Sequence, residues 1–216
     1  MVDFEENGCE MRFISGIPES DDKKEMIKYY SIYWAAQLVA HYIITQDSSS
    51  RNTMSFARLN SLYYLASREL FFKTGEYLVV ENDLFMFDDA DSYLFSDLLD
   101  NSLRNIGSME FINASLSSKL FANIPLVFYD RFNDTVFTVI NKLPEYDMLS
   151  LKSLEAIDQT IEKYKKEPLY MLIREIKDLP EYKDSAKLGY FDIRYDAKFS
   201  PHSRVIALKD YVLEKG

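Results

Sequence analysis

Residues 29–46, YYSIYWAAQLVAHYIITQ, run for eighteen positions without a formal charge when His41 is neutral. Such a stretch either crosses a bilayer or sits inside a fold, because its apolar surface is too wide for a helix with one water-facing side. Ser31, Gln37, His41 and the tyrosines would each be poorly solvated in hydrocarbon, so a buried helix is expected. Over residues 22–45, Ile27, Trp34, Leu38 and His41 fall on one side at helical spacing, while Ile32, Val39 and Ile43 fall elsewhere. A helix that is apolar on several faces belongs at the centre of its fold.

The polar run QDSSSRNT, 46–53, ends this helix, and Ser55 is placed to cap a second one by accepting from free first-turn amides. In that second helix Phe56, Leu59, Leu62, Tyr63, Ala66 and Leu70 recur at three- and four-residue steps. Tyr64, Leu65, Phe71 and Phe72 widen the stripe, so burial against more than one neighbour is expected. Lys73-Thr74-Gly75 is a stop, since Gly75 tolerates the left-handed conformation that ends helices. EYLVV, 76–80, then reads as a short strand.

Farther on, Asp88, Asp89 and Asp91 precede a periodic run with Leu94, Phe95, Leu98 and Leu99. Acids in that position are stabilised by the unpaired amides and dipole of a helix N-terminus. A short helix is expected at 115–123, and PLVFYD and TVFTVI, flanking RFND, read as a β-hairpin. Further helices are expected at 150–165, at 168–177 with Pro168 in the first turn, and at 203–213. Residues 1–20 sustain no period and read as an irregular lead-in. No repeat or low-complexity linker divides the remainder, so 21–216 is read as one compact helical domain, mainly α with a small β element (α+β).

Composition agrees with this reading. Apolar residues at 47% and aromatics at 15% are too many for a disordered chain, and six Gly with six Pro are too few for a fold of many tight turns. The single cysteine, Cys9, forms no internal disulfide and fits a reducing compartment. The start, MVDFEENGCEMRF, is acidic and has no basic segment leading into an apolar one, so no secretory signal is expected and the expected location is cytoplasmic.

The net charge is −10, with 25 Lys and Arg scattered along the chain. Direct nucleic-acid binding is disfavoured, because it needs a basic surface to displace phosphate counterions. The same charge favours a protein partner with a basic surface.

Catalytic patterns are missing. Two histidines and one cysteine give no CxxC or HxxxH zinc pattern, and Cys9, His41 and His202 have no triad spacing. His41 reads as a satisfied core histidine and His202 as an exposed structural one. DDADSY opens like a calcium loop but lacks the central Gly and closing Glu. No GxGxxG or GxxxxGKS/T phosphate loop occurs. The 35 acidic residues must form some pairs by chance, yet no spacing singles out a pair. No catalytic residue, cofactor or metal is assigned, and the chain is not read as an enzyme.

RLNSLYYLASRELFFKTGEYLVVENDLFMF, 58–87, resembles the amino-terminal signature of the Panacea family, the SocA-like antitoxin domain also found in phage-associated proteins. The corresponding pieces are the capping Ser55, Leu59, Leu62-Tyr63-Tyr64, Leu70-Phe71-Phe72, Thr74-Gly75 and the aromatic segment at 85–87. VAHYII, 39–44, resembles the family's first helix. LSLKSLEAIDQTIEKYKKEPLYMLIREIKDLPEYKDSAK, 149–187, resembles its late helix, connecting turn and next helix.

FMFDDADSYLF stands where the family has a Tyr-Gly-Pro-Val-like segment, and its Thr-His pair is replaced around 177–180, as in a divergent member. Residues 107–146 have no counterpart and read as an insertion. The resemblance implies a non-catalytic helical module that neutralises a toxin encoded beside it or, if phage-borne, a host protein. It carries over no site residues.

Local composition alone points to Phe85, Phe87, Asp88 and Asp89 as partner-binding, since aromatics beside acids suit a basic partner with an apolar centre. Two other readings compete. One is an acidic inhibitor in which Asp83, Asp88, Asp89, Asp91, Asp97 and Asp100 mimic DNA phosphates toward a nuclease or restriction factor. The other is an unrecognised hydrolase.

Overall fold

The uncharged run folds as part of α1 (Asp21–Gln46), and Ala35, Ala36, Leu38, Val39, Ala40, Ile43 and Ile44 are all buried. Every position from 35 to 41 is buried, so this part of the helix has no water-facing side, as the sequence requires. The computed structural model describes residues 3–4, 11–12, 21–47, 52–79, 85–87, 94–106, 126–130, 134–139, 146 and 149–185. Within these, α1 packs against α2 (Phe56–Thr74), α3 (Asp97–Ile106), α4 (Leu151–Tyr164) and a β-hairpin. No helix among the described residues is long and apolar enough to cross a membrane.

The second apolar helix forms as its signals dictate. Ser55 has an extended backbone, and its hydroxyl accepts from the Arg58 amide at 3.2 Å. Gly75 closes the helix at φ 74°, donating its amide to the Phe71 carbonyl at 2.8 Å. Between these caps, Leu59, Leu62, Tyr63, Tyr64, Leu65 and Ala66 are buried, as is Leu70. The helix is enclosed by α1, α4, α5 (Leu169–Asp178) and β5 (Leu94–Ser96).

The strand expected at 76–80 is absent from its described part. Residues 76–79 take no strand conformation, and Leu78 and Val79 reach the core through a bend. Their side chains are buried without a ladder, so apolarity alone misassigns them. The strand that does form is β4 (Phe85–Phe87), antiparallel to β5 with Phe85 opposite Ser96 and Phe87 opposite Leu94.

A second correction follows from β5. The run after the aspartates begins as a strand in which Leu94 and Ser96 are buried on one side, and α3 starts only at Asp97. Its capping hydroxyl is Ser96, which accepts from the Leu99 amide at 3.1 Å. Asp88, Asp89 and Asp91 lie outside the described residues.

The expected hairpin is present as β6 (Leu126–Asp130) and β7 (Thr135–Val139), with Phe128 opposite Phe137. A third strand, β3 (Thr53–Ser55), adds to the other edge of β7, giving the order β3-β7-β6. Asn52 and Asp134 hold positive φ at the strand ends, a conformation these two residue types tolerate better than most. Their carbonyls accept from Thr138 and Phe56 and lock the sheet to the start of α2. Val127 and Val136 are core residues, so the described part of 107–146 is built into the fold.

At the carboxyl side, Ser150 caps α4 by accepting from the Ser153 amide at 3.0 Å. Pro168 is extended, with ψ 154°, and precedes α5 as its cap residue; it does not occupy the first turn. An unexpected short helix, α6 (Pro180–Ser185), follows at once. Within the lead-in, β1 (Asp3–Phe4) and β2 (Met11–Arg12) form an antiparallel pair. The helices expected at 115–123 and 203–213 lie outside the described residues. The architecture is mainly α with small antiparallel β elements.

Candidate functional site

The four residues marked by composition do not assemble a described surface. Phe85 is 1% exposed, its ring 4.8 Å edge-on from Tyr64 and 6.0 Å from Tyr63. It fills the core beneath α2 and offers nothing to a partner. Phe87 ends β4 opposite Leu94, and Asp88 and Asp89 lie outside the described residues. Among the carboxylates that a DNA mimic would use, Asp100 is 4% exposed and faces inward. Cys9 and His202 also lie outside the described residues.

Polar residues instead join the two segments that carry the family resemblance. Arg58 on α2 donates through Nε to Asp47 at 2.7 Å, through Nη1 to the Glu167 carbonyl at 2.8 Å, and through Nη2 to the Tyr164 carbonyl at 3.1 Å. A guanidinium here satisfies main-chain acceptors at the end of α4, where the helix dipole favours a cation. One and a half turns along α2, the Tyr64 hydroxyl donates to Glu181 of α6 at 2.6 Å, and Arg68 Nε reaches the same oxygen at 2.5 Å. The Arg68 guanidinium also lies 4.3 Å from the Phe72 ring centroid. Lys73 donates to Gln159 at 2.5 Å, and Lys152 pairs with Glu76.

The buried face of α1 carries a second polar set. Gln37 donates to the Ser102 carbonyl at 3.0 Å and accepts from the Val127 amide at 3.1 Å, tying α1 to α3 and β6. His41 Nδ1 and the Tyr146 hydroxyl are 2.6 Å apart, and Nε2 has no hydrogen-bond partner among the described residues. Burial lowers the imidazole pKa to about 4. Tyr42 donates to Asp158 at 2.9 Å and is pushed up to about 12 by burial and then by that carboxylate. A neutral histidine and a firmly protonated tyrosine are poorly matched to proton transfer near neutral pH. No cluster of three His, Cys, Asp or Glu suited to a metal ion occurs among the described residues.

A groove opens on the outer surface. It encloses about 350 Å³ between α4 and α5, lined by Lys163, Tyr164 and Glu167 on one side and Met171, Arg174 and Glu175 on the other. Tyr164 donates its hydroxyl to Glu175, while Lys163 Nζ stands 3.0 Å from the same carboxylate and 2.6 Å from the phenol oxygen. Burial and then the Glu175 hydrogen bond push the Tyr164 pKa up to about 12. Also on α5, Tyr170 is 68% exposed. Sequence periodicity had the signal for this, since Tyr170 lies off the stripe of Leu172 and Ile176 that α5 buries.

Comparison with family models, with curated proteins and with solved structures finds no match for this chain.

Proposed function

We propose that the protein is a non-catalytic binding module, similar to SocA-like antitoxins, that neutralises a partner protein in the cytoplasm. The partner is a toxin encoded beside it or, for a phage-borne gene, a host protein. The observation that carries this reading is spatial. Residues 58–74 and 150–185, which are far apart in sequence and resemble two separate parts of the family pattern, pack together as α2 with α4, α5 and α6. Arg58, Tyr64 and Arg68 of the first segment bond directly to residues of the second. These bonds between the two segments are what support the reading.

The buried polar groups fit the same role, since their hydrogen bonds join one helix to another. The test is genetic. Each gene neighbouring this one is cloned with and without it under an inducible promoter. A neighbour that transforms only when this gene is present supports neutralisation; free cloning of every neighbour, together with unchanged growth of the host on induction of this gene alone, counts against it.

A further inference from the structure

We infer that Gln37 closes the open edge of the three-stranded sheet by standing in for a fourth strand, and so keeps a second copy of this chain from adding its own β6 there. Such a guard acts whatever partner the protein binds.

The register shows which main-chain groups face out. In the order β3-β7-β6, β6 has no strand on its outer side among the described residues. Val127 lies opposite Thr138, and Thr138 gives its amide to Asn52 on the β3 side. Such a pair in an antiparallel ladder turns its main-chain groups away from each other. The N–H and C=O of Val127 therefore point outward, as do those of Tyr129 two residues on. Outward groups on a terminal strand are the template by which sheets recruit further strands.

Covering the edge with a helix hides these groups without satisfying them, because a helix spends its own amides and carbonyls internally. Both α1 and α3 pack against β6, and Val127 is 1% exposed. The partner it needs is the side chain of Gln37, itself wholly buried on α1. Its Oε1 accepts from the Val127 amide at 3.1 Å. Its Nε2 donates to the Val127 carbonyl at 3.4 Å and to the Ser102 carbonyl of α3 at 3.0 Å. A primary amide has two N–H groups for the two carbonyls and an oxygen for the N–H, so these partners fix which way it faces. Methionine at 37 would fill the space with no donor, and glutamate would set an oxygen against two carbonyls.

The test compares the full-length chain with Gln37→Met, by amide hydrogen exchange read residue by residue in NMR spectra and by sedimentation velocity across a range of concentrations. In the wild type the Val127 amide should exchange as slowly as the core of α2, although it belongs to an outer strand. Gln37→Met should lose that protection when dilute and form a species of about twice the wild-type mass as concentration rises. Adding Tyr129→Pro, which removes the other outward N–H of β6, should abolish the association. A purely structural amide would lower the urea midpoint on substitution without changing the mass. Fast exchange at Val127 in the wild type overturns the proposal whether or not any variant folds. So does a Gln37→Met chain that keeps the wild-type mass, that unfolds outright, or that associates regardless of Tyr129→Pro.

Discussion

The Tyr64 hydroxyl donates to the Glu181 carboxylate at 2.6 Å, and both side chains are wholly buried. This bond joins the aromatic pair of α2 to the short helix α6, with Arg68 supplying the counter-charge. A carboxylate removed from water costs several kcal/mol unless it is paired and hydrogen-bonded, so the bond should be worth more than an ordinary one. Tyr64→Phe is expected to cost about 1.5 to 3 kcal/mol. In a double-mutant cycle with Glu181→Gln, the coupling energy should reach about 1 kcal/mol or more. Strict additivity in urea melts would mean that the two residues do not act together.

Leu62→Ala should cost on the order of 2 to 5 kcal/mol, because its side chain is 1% exposed within the stripe that α2 buries. Tyr63→Ala should do the same. A loss below about 0.5 kcal/mol in either melt would place the buried face of α2 elsewhere.

Arg58 satisfies three acceptors through one planar fork. Arg58→Ala removes the cation from Asp47, whose side chain is almost fully buried, and should destabilise by about 2 kcal/mol or more. Arg58→Lys keeps the charge but cannot reach all three acceptors in the same way, so it should recover only part of the loss. Full recovery with lysine would show that the fork geometry adds nothing.

His41 makes stability depend on acid. Its pKa is lowered to about 4 in the fold by burial, against the ordinary 6.5 of a histidine in the unfolded chain. Between these values the unfolded chain takes up a proton that the folded chain refuses. The contribution is therefore fully present above the unfolded value and is lost as pH falls toward the folded one. The whole loss amounts to roughly 3 kcal/mol. His41→Gln removes that share, so the wild type's unfolding free energy should drop relative to the variant's between about pH 7 and about pH 4. A difference independent of pH would contradict the buried, neutral imidazole.

The long helices were legible because spacing and caps agree. Ser55 and Gly75 bracket α2, Ser150 opens α4, and the uncharged run buries α1 on every side from 35 to 41. The strand misread at 76–80 shows where pattern fails, since Leu78 and Val79 satisfy their apolarity by burial through a bend. Thr53–Ser55 is three residues long and finds its partner strand far down the chain, so nothing local announces it. Phe85 sits beside acids in sequence and beneath Tyr64 in space; composition cannot tell which way a ring points. Glu181 likewise reads as one more surface acid until α6 folds against α2. Tyr170 was readable as exposed from its place off the buried stripe of α5.

The central claim is that this chain is a dedicated partner-binding protein. It is tested most directly by affinity capture with the tagged full-length chain from its own host, quantified by mass spectrometry against an acidic protein of matched charge. The account predicts one protein recovered in stoichiometric amount and absent from the control. Recovery of nothing beyond the control would contradict it and turn attention to small-molecule substrates.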